Sequence, residues 1–388
     1  MMNGPLDGVR ILDLTSVVMG PYCTSLLADM GADVIKIENL TGDSTRYLGP
    51  SKHQGMGSLF LHLNRNKRSV TLNLKKEEEK AALLELVKEA DVFVHTMRPK
   101  AIEKLGLSYE HLNSLNSRLI YCGMYGFSKK GLYKDKPAYD DIIQAASGIA
   151  AAQGKITGDP QYLATVLADK TAGLFGLSAI LSALYHREQN GYGQEIEVPM
   201  FETIVSYTML EHMYGKTYSP ALGPAYYSRV TSPNRKPYKT KDGFISVLIY
   251  NDKHWKTFFE VADRKELIND KRFSDMTSRT EHIDFVYGTV EETLLTKTTE
   301  EWLSLLNAAD IPCTKVNTPD DLFEDPHLNS INFFESVQHP TEGEIWNMKF
   351  PVTFSKNPLE VNRYAPNLGE HNNEVLNELG WHLKQKNY

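Results

Sequence analysis

Asp169 sits in the stretch LADKTAG (167–173), at the start of a long run rich in Ala, Gly and Leu that continues to Arg187. A carboxylate at this point has two readings. Aspartate is a favoured helix N-cap, where its charge meets the positive end of the helix dipole. It is also a nucleophile where water is excluded and backbone N–H groups face the developing charge. Ala168, Ala172 and Gly173 are small neighbours that leave room for a ligand beside it.

Two basic groups are the next candidates: Arg65, Lys67, Arg68 and Lys75, and then Arg98, Lys100 and Lys104. Both fall at the ends of predicted strands. Ligands of open α/β sheets bind beyond the carboxyl ends of the strands, and cations placed there hold phosphates. A solvated charged face gives the same pattern. The first loop, TSVVMGPYC, is not G-x-G-x-x-G, and neither a P-loop nor a G-x-S-x-G elbow is present, which disfavours the usual dinucleotide, ATP and serine-hydrolase sites. The 12 histidines are scattered without H-E-x-x-H spacing, so no metal site is expected. Cys23, Cys122 and Cys313 form neither a disulfide framework nor a zinc cluster and fit a reducing, cytoplasmic setting. A net charge of -7 argues against nonspecific nucleic-acid binding. The N-terminus lacks a signal-length apolar stretch, and no run is expected to reach the roughly 20 apolar residues that span a bilayer.

These residues must be positioned by a larger framework. Val9–Leu14 reads as a buried strand, PYCTSLLADMGA as a helix stopping at Gly31, and DVIKIE as the next strand, which is the opening of a parallel sheet. The pattern recurs as SVTLNL, an amphipathic helix with Leu83, Leu84 and Leu86 on one side, DVFVHT, the helical YEHLNSLN and the strand LIYCGMYGF. TAGLFGLSAILSALYHRE then reads as a buried helix and QEIEVPM as a strand. The fold class is α/β, doubly wound, with a smaller α+β unit. With 388 residues, about two domains are expected. The segments are a large domain at 1–202, an unpatterned linker at 203–225, a small domain at 226–316, a second linker at 317–345 and a final helical segment at 346–388.

Several stretches taken together carry a resemblance: PLDGVRILDLTSVVMGPYCTSLLADMGADVIKIE, NRNKRSVTLNL, RPKAIEKLGL, YDDIIQAASG, LADKTAGLFGLSAILSALYHREQNGYGQEIEVPM and NLGEHNNEVLNELG. The chain resembles the family III CoA-transferases over nearly its whole length, most weakly between about 215 and 345. The resemblance implies a Rossmann-like large domain built from both chain ends, so that 346–388 returns to it, and two subunits threaded through each other as an interlocked homodimer. It implies that Asp169 attacks an acyl-CoA thioester and then carries CoA as an aspartyl thioester before a carboxylic acid accepts it. Acyl-CoA and a free acid are then the substrates, with no permanently bound cofactor.

By the same resemblance, Leu72 and Lys75 meet the adenine side of CoA, and Thr96, Met97 and Arg98 follow on the next loop. Lys104 stands where an arginine usually binds phosphate and lacks the bidentate fork; Asn39 is a second departure of this kind. Tyr139 and Asp140 line the active site, and backbone N–H groups near Val17 and Val18 are candidates for holding an oxyanion or the acyl group. The racemase branch has histidine where Tyr139 stands, and a phenol is a poor general base at neutral pH. Transfer is therefore favoured over a 2-methylacyl-CoA racemase, and over a CoA-binding protein without catalysis. The oxalate enzymes have a four-glycine loop and aromatic pocket residues, whereas Leu48 and Leu59 stand here. That points to a roomier apolar wall, for a C4 to C5 dicarboxylate or a branched acid, with succinyl-CoA as donor. Arg46 and Arg229 are candidates for a distal carboxylate.

Overall fold

In β1 (Arg10–Leu14), Ile11 faces one side of a sheet and Leu12 the other, and both are fully buried. A strand that hides both faces needs helices on each side. The computed structural model describes residues 4–380. β1 pairs in parallel with β2 (Asp33–Glu38) and β4 (Val92–His95), β2 with β3 (Lys67–Thr71), β4 with β5 (Ile120–Tyr125), and β5 with β6 (Glu195–Pro199). The order β3-β2-β1-β4-β5-β6 reverses direction between β1 and β4, and the crevice beyond the carboxyl ends at that point is where such sheets take ligands.

The helices on this framework are α1 (Met19–Asp29), α2 (Ser58–Leu63), α3 (Glu77–Glu89), α4 (Pro99–Lys104), α5 (Tyr109–Leu115), α6 (Asp140–Ala146), α8 (Leu167–Asn190) and α9 (Met200–His212), whereas α7 (Ile149–Thr157) belongs to the second unit described below. Cys23 and Leu27 of α1 and Ala172 and Ile180 of α8 join Ile11, Val34 and Val92 in one core. Leu83 and Leu86 of α3 and Leu112 of α5 join Leu12, Ile35 and Phe93 in the other. Each such buried aliphatic side chain contributes about 1.5–3 kcal/mol.

α8 lies close to α1 because it carries glycine at the contact. A Cβ on Gly173 would stand 2.9 Å from the Met19 carbonyl oxygen, and one on Gly176 would stand 2.7 Å from Met124 Cε. This approach brings the first turn of α8 beside the first turn of α1. Among the described residues α8 is also the one helix long and apolar enough to cross a bilayer, 24 residues with an 18-residue stretch of mean hydropathy 1.3. This departs from the expectation that no run would reach that length. Its inward side packs into the core described above.

The chain's end closes the sheet. Thr71 N–H donates to Asn372 Oδ1 at 2.8 Å, His371 N–H donates to the Ser69 carbonyl at 2.9 Å, and Val375 enters the second core. The exposed edge of β3 is thereby covered, which removes a site for unwanted strand pairing.

The described chain divides into two compact units, one of 4–147, 164–207 and 331–380, the other of 148–163 and 208–330. The second unit has an antiparallel sheet of β7 (Tyr238–Lys239), β8 (Phe244–Val247) and β9 (Cys313–Lys315). Its core holds Trp255, Phe258, Phe259, Leu294 and Trp302. Thr298 and Glu301 form a capping box at the start of the helix Thr299–Ala308.

Four details differ from the sequence reading. The 148–163 segment falls in the second unit rather than the large domain. α9 occupies 200–212, where an irregular linker was expected from 203. The second expected linker contains an antiparallel hairpin, β10 (Phe334–His339) with β11 (Gly343–Met348). Its strands mix apolar and polar residues on both faces, so no face reads as consistently apolar. β3 begins at Lys67, two residues before the expected strand, because the lysine points inward to a buried carboxylate. Of the expected 346–388 segment, residues 381–388 lie outside the described residues.

Candidate active site

Three segments meet at the carboxyl ends of β1 and β4. The first is the loop from β1 to α1, the second is Thr96–Arg98 after β4, and the third is the first turn of α8. Ser16, Val17, Met97, Arg98, Lys136, Tyr139 and Asp169 line a cavity of about 330 Å³ between them. A neighbouring cavity of about 590 Å³ is lined by Asn39, Leu72, Lys75, Thr96, Met97 and Leu105, among others. Ser16, Thr96 and Met97 belong to both walls, so the two cavities adjoin across that line.

Asp169 is not the helix cap. Val166 is, and Asp169 is the third helical residue, with no side-chain cap hydrogen bond at this terminus. The capping role falls instead to Asp140 at the start of α6, whose Oδ1 accepts the Asp169 N–H at 3.0 Å while its Oδ2 accepts from Gln144 at 2.5 Å. Asp169 is only 9% exposed. Burial, and then the neighbouring Asp140 carboxylate, push its carboxyl up to about 7. A carboxylate made reluctant to ionise is a stronger nucleophile once ionised.

The other expected site residues divide. Leu72, Lys75, Thr96 and Met97 come together on the larger cavity; Val17, Arg98 and Tyr139 join Asp169 on the smaller. Asp140 is buried against α8. Lys104 is exposed at the end of α4 and is not among the residues lining either cavity. Val18 is 5% exposed, is the N-cap of α1 and lines neither cavity. The Val17 N–H, an expected oxyanion donor, is donated to Asp43 Oδ1 at 3.2 Å. That hydrogen is turned into the protein rather than toward a ligand.

The guess that Arg46 meets a substrate carboxylate is corrected. Its side chain is 1% exposed, pairs with Glu38 at 2.6 Å, donates to the Pro366 carbonyl at 3.1 Å and lies 3.8 Å over the Phe60 ring. Arg229 lies in the second unit, where its Nε donates to the Tyr287 hydroxyl at 3.1 Å. The first basic group is likewise structural at three of its four positions. Arg65 pairs with Asp29 at 2.7 Å, Lys67 with Asp13 at 3.0 Å, and Arg68 with Asp33 at 2.6 Å. All three are at or before the amino end of β3, opposite to the ligand side, and only Lys75 follows its carboxyl end.

Sequence reasoning missed the buried charges beneath the loop. Lys36 pairs with Asp43 at 3.0 Å and Lys67 with Asp13 at 3.0 Å, with all four side chains at most 1% exposed. Lysine in the middle of the apolar strand VIKIE was the available signal, since an inward lysine requires a partner. Among the described residues no group of three or more His, Cys, Asp or Glu side chains is placed to hold a metal ion.

The description CoA-transferase family III matches residues 6–372. A succinate–glutarate CoA-transferase of Agrobacterium fabrum is 31% identical over 388 residues, covering 97% of this chain and 96% of that one. A formyl-CoA:oxalate CoA-transferase of Escherichia coli is 31% identical over 403 residues, covering 98% and 97%. The crystal structure of a CaiB/BaiF family protein from Brucella suis superposes with a TM-score of 0.82 at 29% identity, covering 97% of this chain and 100% of that one. The chain belongs to CoA-transferase family III and is a CoA-transferase.

Proposed function

We propose that this enzyme moves CoA from an acyl-CoA to a free carboxylic acid through an aspartyl-CoA thioester on Asp169. The observation that carries the reading is the setting of one carboxyl. Asp169 opens on a cavity at the switch point of the sheet, and both influences on it, burial and Asp140, oppose its charge. In the first step the ionised carboxylate attacks the thioester carbonyl. The C–S bond breaks, CoA leaves as thiolate, and a mixed anhydride remains. The thiolate then attacks the aspartyl carbonyl, and the donor acid departs as its carboxylate. The acceptor carboxylate attacks the aspartyl thioester and the two steps run in reverse. The aspartyl thioester lies close in energy to the substrate and product thioesters, with the anhydrides as more activated intermediates between them, so little free energy is lost over the transfer.

The larger cavity is assigned to the adenosine and phosphate part of CoA, with Leu72, Lys75, Thr96 and Met97 as contacts. The thioester end is assigned to the smaller cavity, beside Val17, Arg98 and Tyr139. Lys75 is exposed and lines the larger cavity, where the resemblance puts it on the adenine side of CoA. Lys75→Ala is expected to raise KM for acyl-CoA about tenfold, the scale of one charge-assisted hydrogen bond, with kcat nearly unchanged. A fall in kcat with KM constant would move Lys75 out of the binding site. Lys104 and Asp140 are given supporting roles, in long-range attraction of phosphate and in setting the charge of Asp169.

Succinyl-CoA is the proposed donor, and a C4 to C5 dicarboxylate or a branched acid the acceptor. The relative named for succinate and glutarate supports this, and so do Leu48 and Leu59 at the positions that are aromatic in the oxalate enzymes. Proton exchange at an α-carbon is not proposed, since Tyr139 supplies no base. A cytoplasmic location is proposed on the strength of the three free cysteines. An interlocked homodimer is proposed as well. Leu174 and Phe175 on α8 and Leu210 on α9 are 45%, 48% and 86% exposed, which is costly for large apolar side chains left uncovered.

Two measurements test the reading. Hydroxylamine added during turnover is expected to leave a hydroxamate on the peptide containing Asp169, and no modification there would remove the mechanism. Because the reactive form is the carboxylate and its protonation falls near 7, kcat/KM is expected to drop tenfold per pH unit below about 7. A profile flat down to pH 5 would show that another group limits the rate.

A further inference from the structure

The loop beside Asp169 is held in a conformation its own sequence disfavours. Val17 has φ 70°, in the left-handed region where a β-branched residue is a genuine outlier. Such a residue persists only where its surroundings over-determine it. Here consecutive backbone groups of the loop are each held, one locally by the end of β1 and the others by other segments. Thr15 N–H donates to Asp13 Oδ1 at 2.9 Å, and Lys36 Nζ donates to the Thr15 carbonyl at 3.0 Å. Ser16 N–H donates to Thr96 Oγ1 at 3.2 Å, and Val17 N–H donates to Asp43 Oδ1 at 3.2 Å.

Asp43 is itself fixed from several directions. Its Oδ2 accepts from Lys36 at 3.0 Å, its Oδ1 accepts the Thr45 N–H at 3.0 Å, and its own N–H donates to Glu38 Oε1 at 2.9 Å. Glu38 is locked in turn by Arg46 at 2.6 Å. A continuous set of buried charges therefore runs from Arg46 through Glu38, Asp43 and Lys36 to the loop. The only strained residue in that loop, among the described residues, lines the same smaller cavity as Asp169.

We propose that Asp43, braced by Lys36, is a positioning residue for transfer: it holds Val17 in the left-handed state and so keeps the wall of the smaller cavity formed before substrate arrives. The proposal rests on Asp169 as the reacting group. Asp43 lines the larger cavity, but the effect described here passes through Val17. If the hold were lost, Val17 would relax to an ordinary negative φ, and that wall would have to be rebuilt in every turnover. The cost is expected in kcat rather than in KM for the donor.

A double-mutant cycle tests this in the full-length enzyme. Glycine adopts φ near 70° without the Cβ penalty, so Val17→Gly removes the need for a hold. Asp43→Ala in the natural background is expected to lower kcat about 30-fold, with KM for succinyl-CoA changed less than about threefold. In the Val17→Gly background the same substitution is expected to lower kcat only about threefold. Equal losses in both backgrounds overturn the proposal, because a residue needed only for folding would cost the same in each. Should Asp43→Ala fail to fold, Asp43→Ala combined with Lys36→Met, which leaves no unpaired buried ammonium, takes its place in the cycle with the same inequality expected. Hydroxylamine trapping in the natural enzyme separates the two claims. Absent trapping at Asp169 sinks the mechanism, whereas normal trapping with additive losses sinks only the role of Asp43.

Discussion

Asp169→Ala is expected to give a folded protein that binds acyl-CoA and transfers no CoA, with kcat down by at least about 10³-fold. The side chain is proposed to form both covalent intermediates, so its loss removes the route rather than slowing one step. Asp169→Asn is the sharper variant, because it keeps the shape and removes the charge. It is expected to be as inactive as the alanine variant, yet more stable than the natural enzyme above neutral pH. The sign follows from the raised acidity constant. Below about pH 4 the carboxyl is protonated in both folded and unfolded chains and costs nothing. As pH rises from about 4 through about 7, the unfolded chain ionises first, and stability falls until the folded carboxyl has also ionised. The penalty at pH 8 is on the order of 2–4 kcal/mol. Thermal unfolding at pH 5 and pH 8 measures it, and the gain of Asp169→Asn over the natural enzyme should be larger at pH 8. Equal gains at both pH values, or residual transfer in either variant, would count against the assignment.

Asp13→Ala is expected to have the largest effect on stability of any single change beneath the site. Asp13 is fully buried and accepts from Lys67 at 3.0 Å, from Thr24 at 2.6 Å and from the Thr15 backbone at 2.9 Å. Burial alone would raise its acidity constant, but Lys67 and Lys36 hold the carboxyl well below the usual carboxylate range. Removing it leaves a fully buried Lys67 ammonium without its counter-charge, and such a broken pair costs about 3–5 kcal/mol. For 388 residues that is a fall in Tm of about 4–6 °C. Lys67→Met, which replaces the cation with an apolar side chain of similar length, leaves the carboxylate unpaired instead and is expected to be similarly destabilised. Asp13→Leu combined with Lys67→Met removes both charges and is expected to recover more than half of the loss, as isosteric replacement of a buried pair often does. Because the folded acidity constant of Asp13 is depressed, its contribution is complete above about pH 4 and fades only in stronger acid. The Tm difference between the natural enzyme and Asp13→Ala should nevertheless shrink from pH 6 to 8, because Lys67, which burial already lowers to about 8, gives up its proton more easily once Asp13 is gone. A loss below 1 kcal/mol would mean that water reaches Lys67.

The parallel sheet was largely legible in the chain, but its strand order was not. Short apolar runs such as RILDL and DVIKIE, each followed by a helical period, leave few arrangements except parallel strands with crossover helices. Asp169 was legible as a candidate from its small neighbours and from the resemblance carried by LADKTAG. The hairpin at 334–348 was not, since period-2 alternation needs one apolar face to be visible.

What the sequence by itself determined is the class of fold, its family and a short set of chemical groups, because apolar periodicity and local residue type are written along the chain. Which basic residues face a ligand was decided only by tertiary structure. Arg46, Arg65, Lys67 and Arg68 look like Lys75 in a string of letters, yet each of the four meets a carboxylate distant in sequence or across a strand. The same holds for Asp169. Its burial, its distance from the capping role and its neighbour Asp140 come from helices α6 and α8 meeting in space. Charge pairing and desolvation depend on distance in three dimensions, and one-dimensional spacing carries that information only within a single helix or strand.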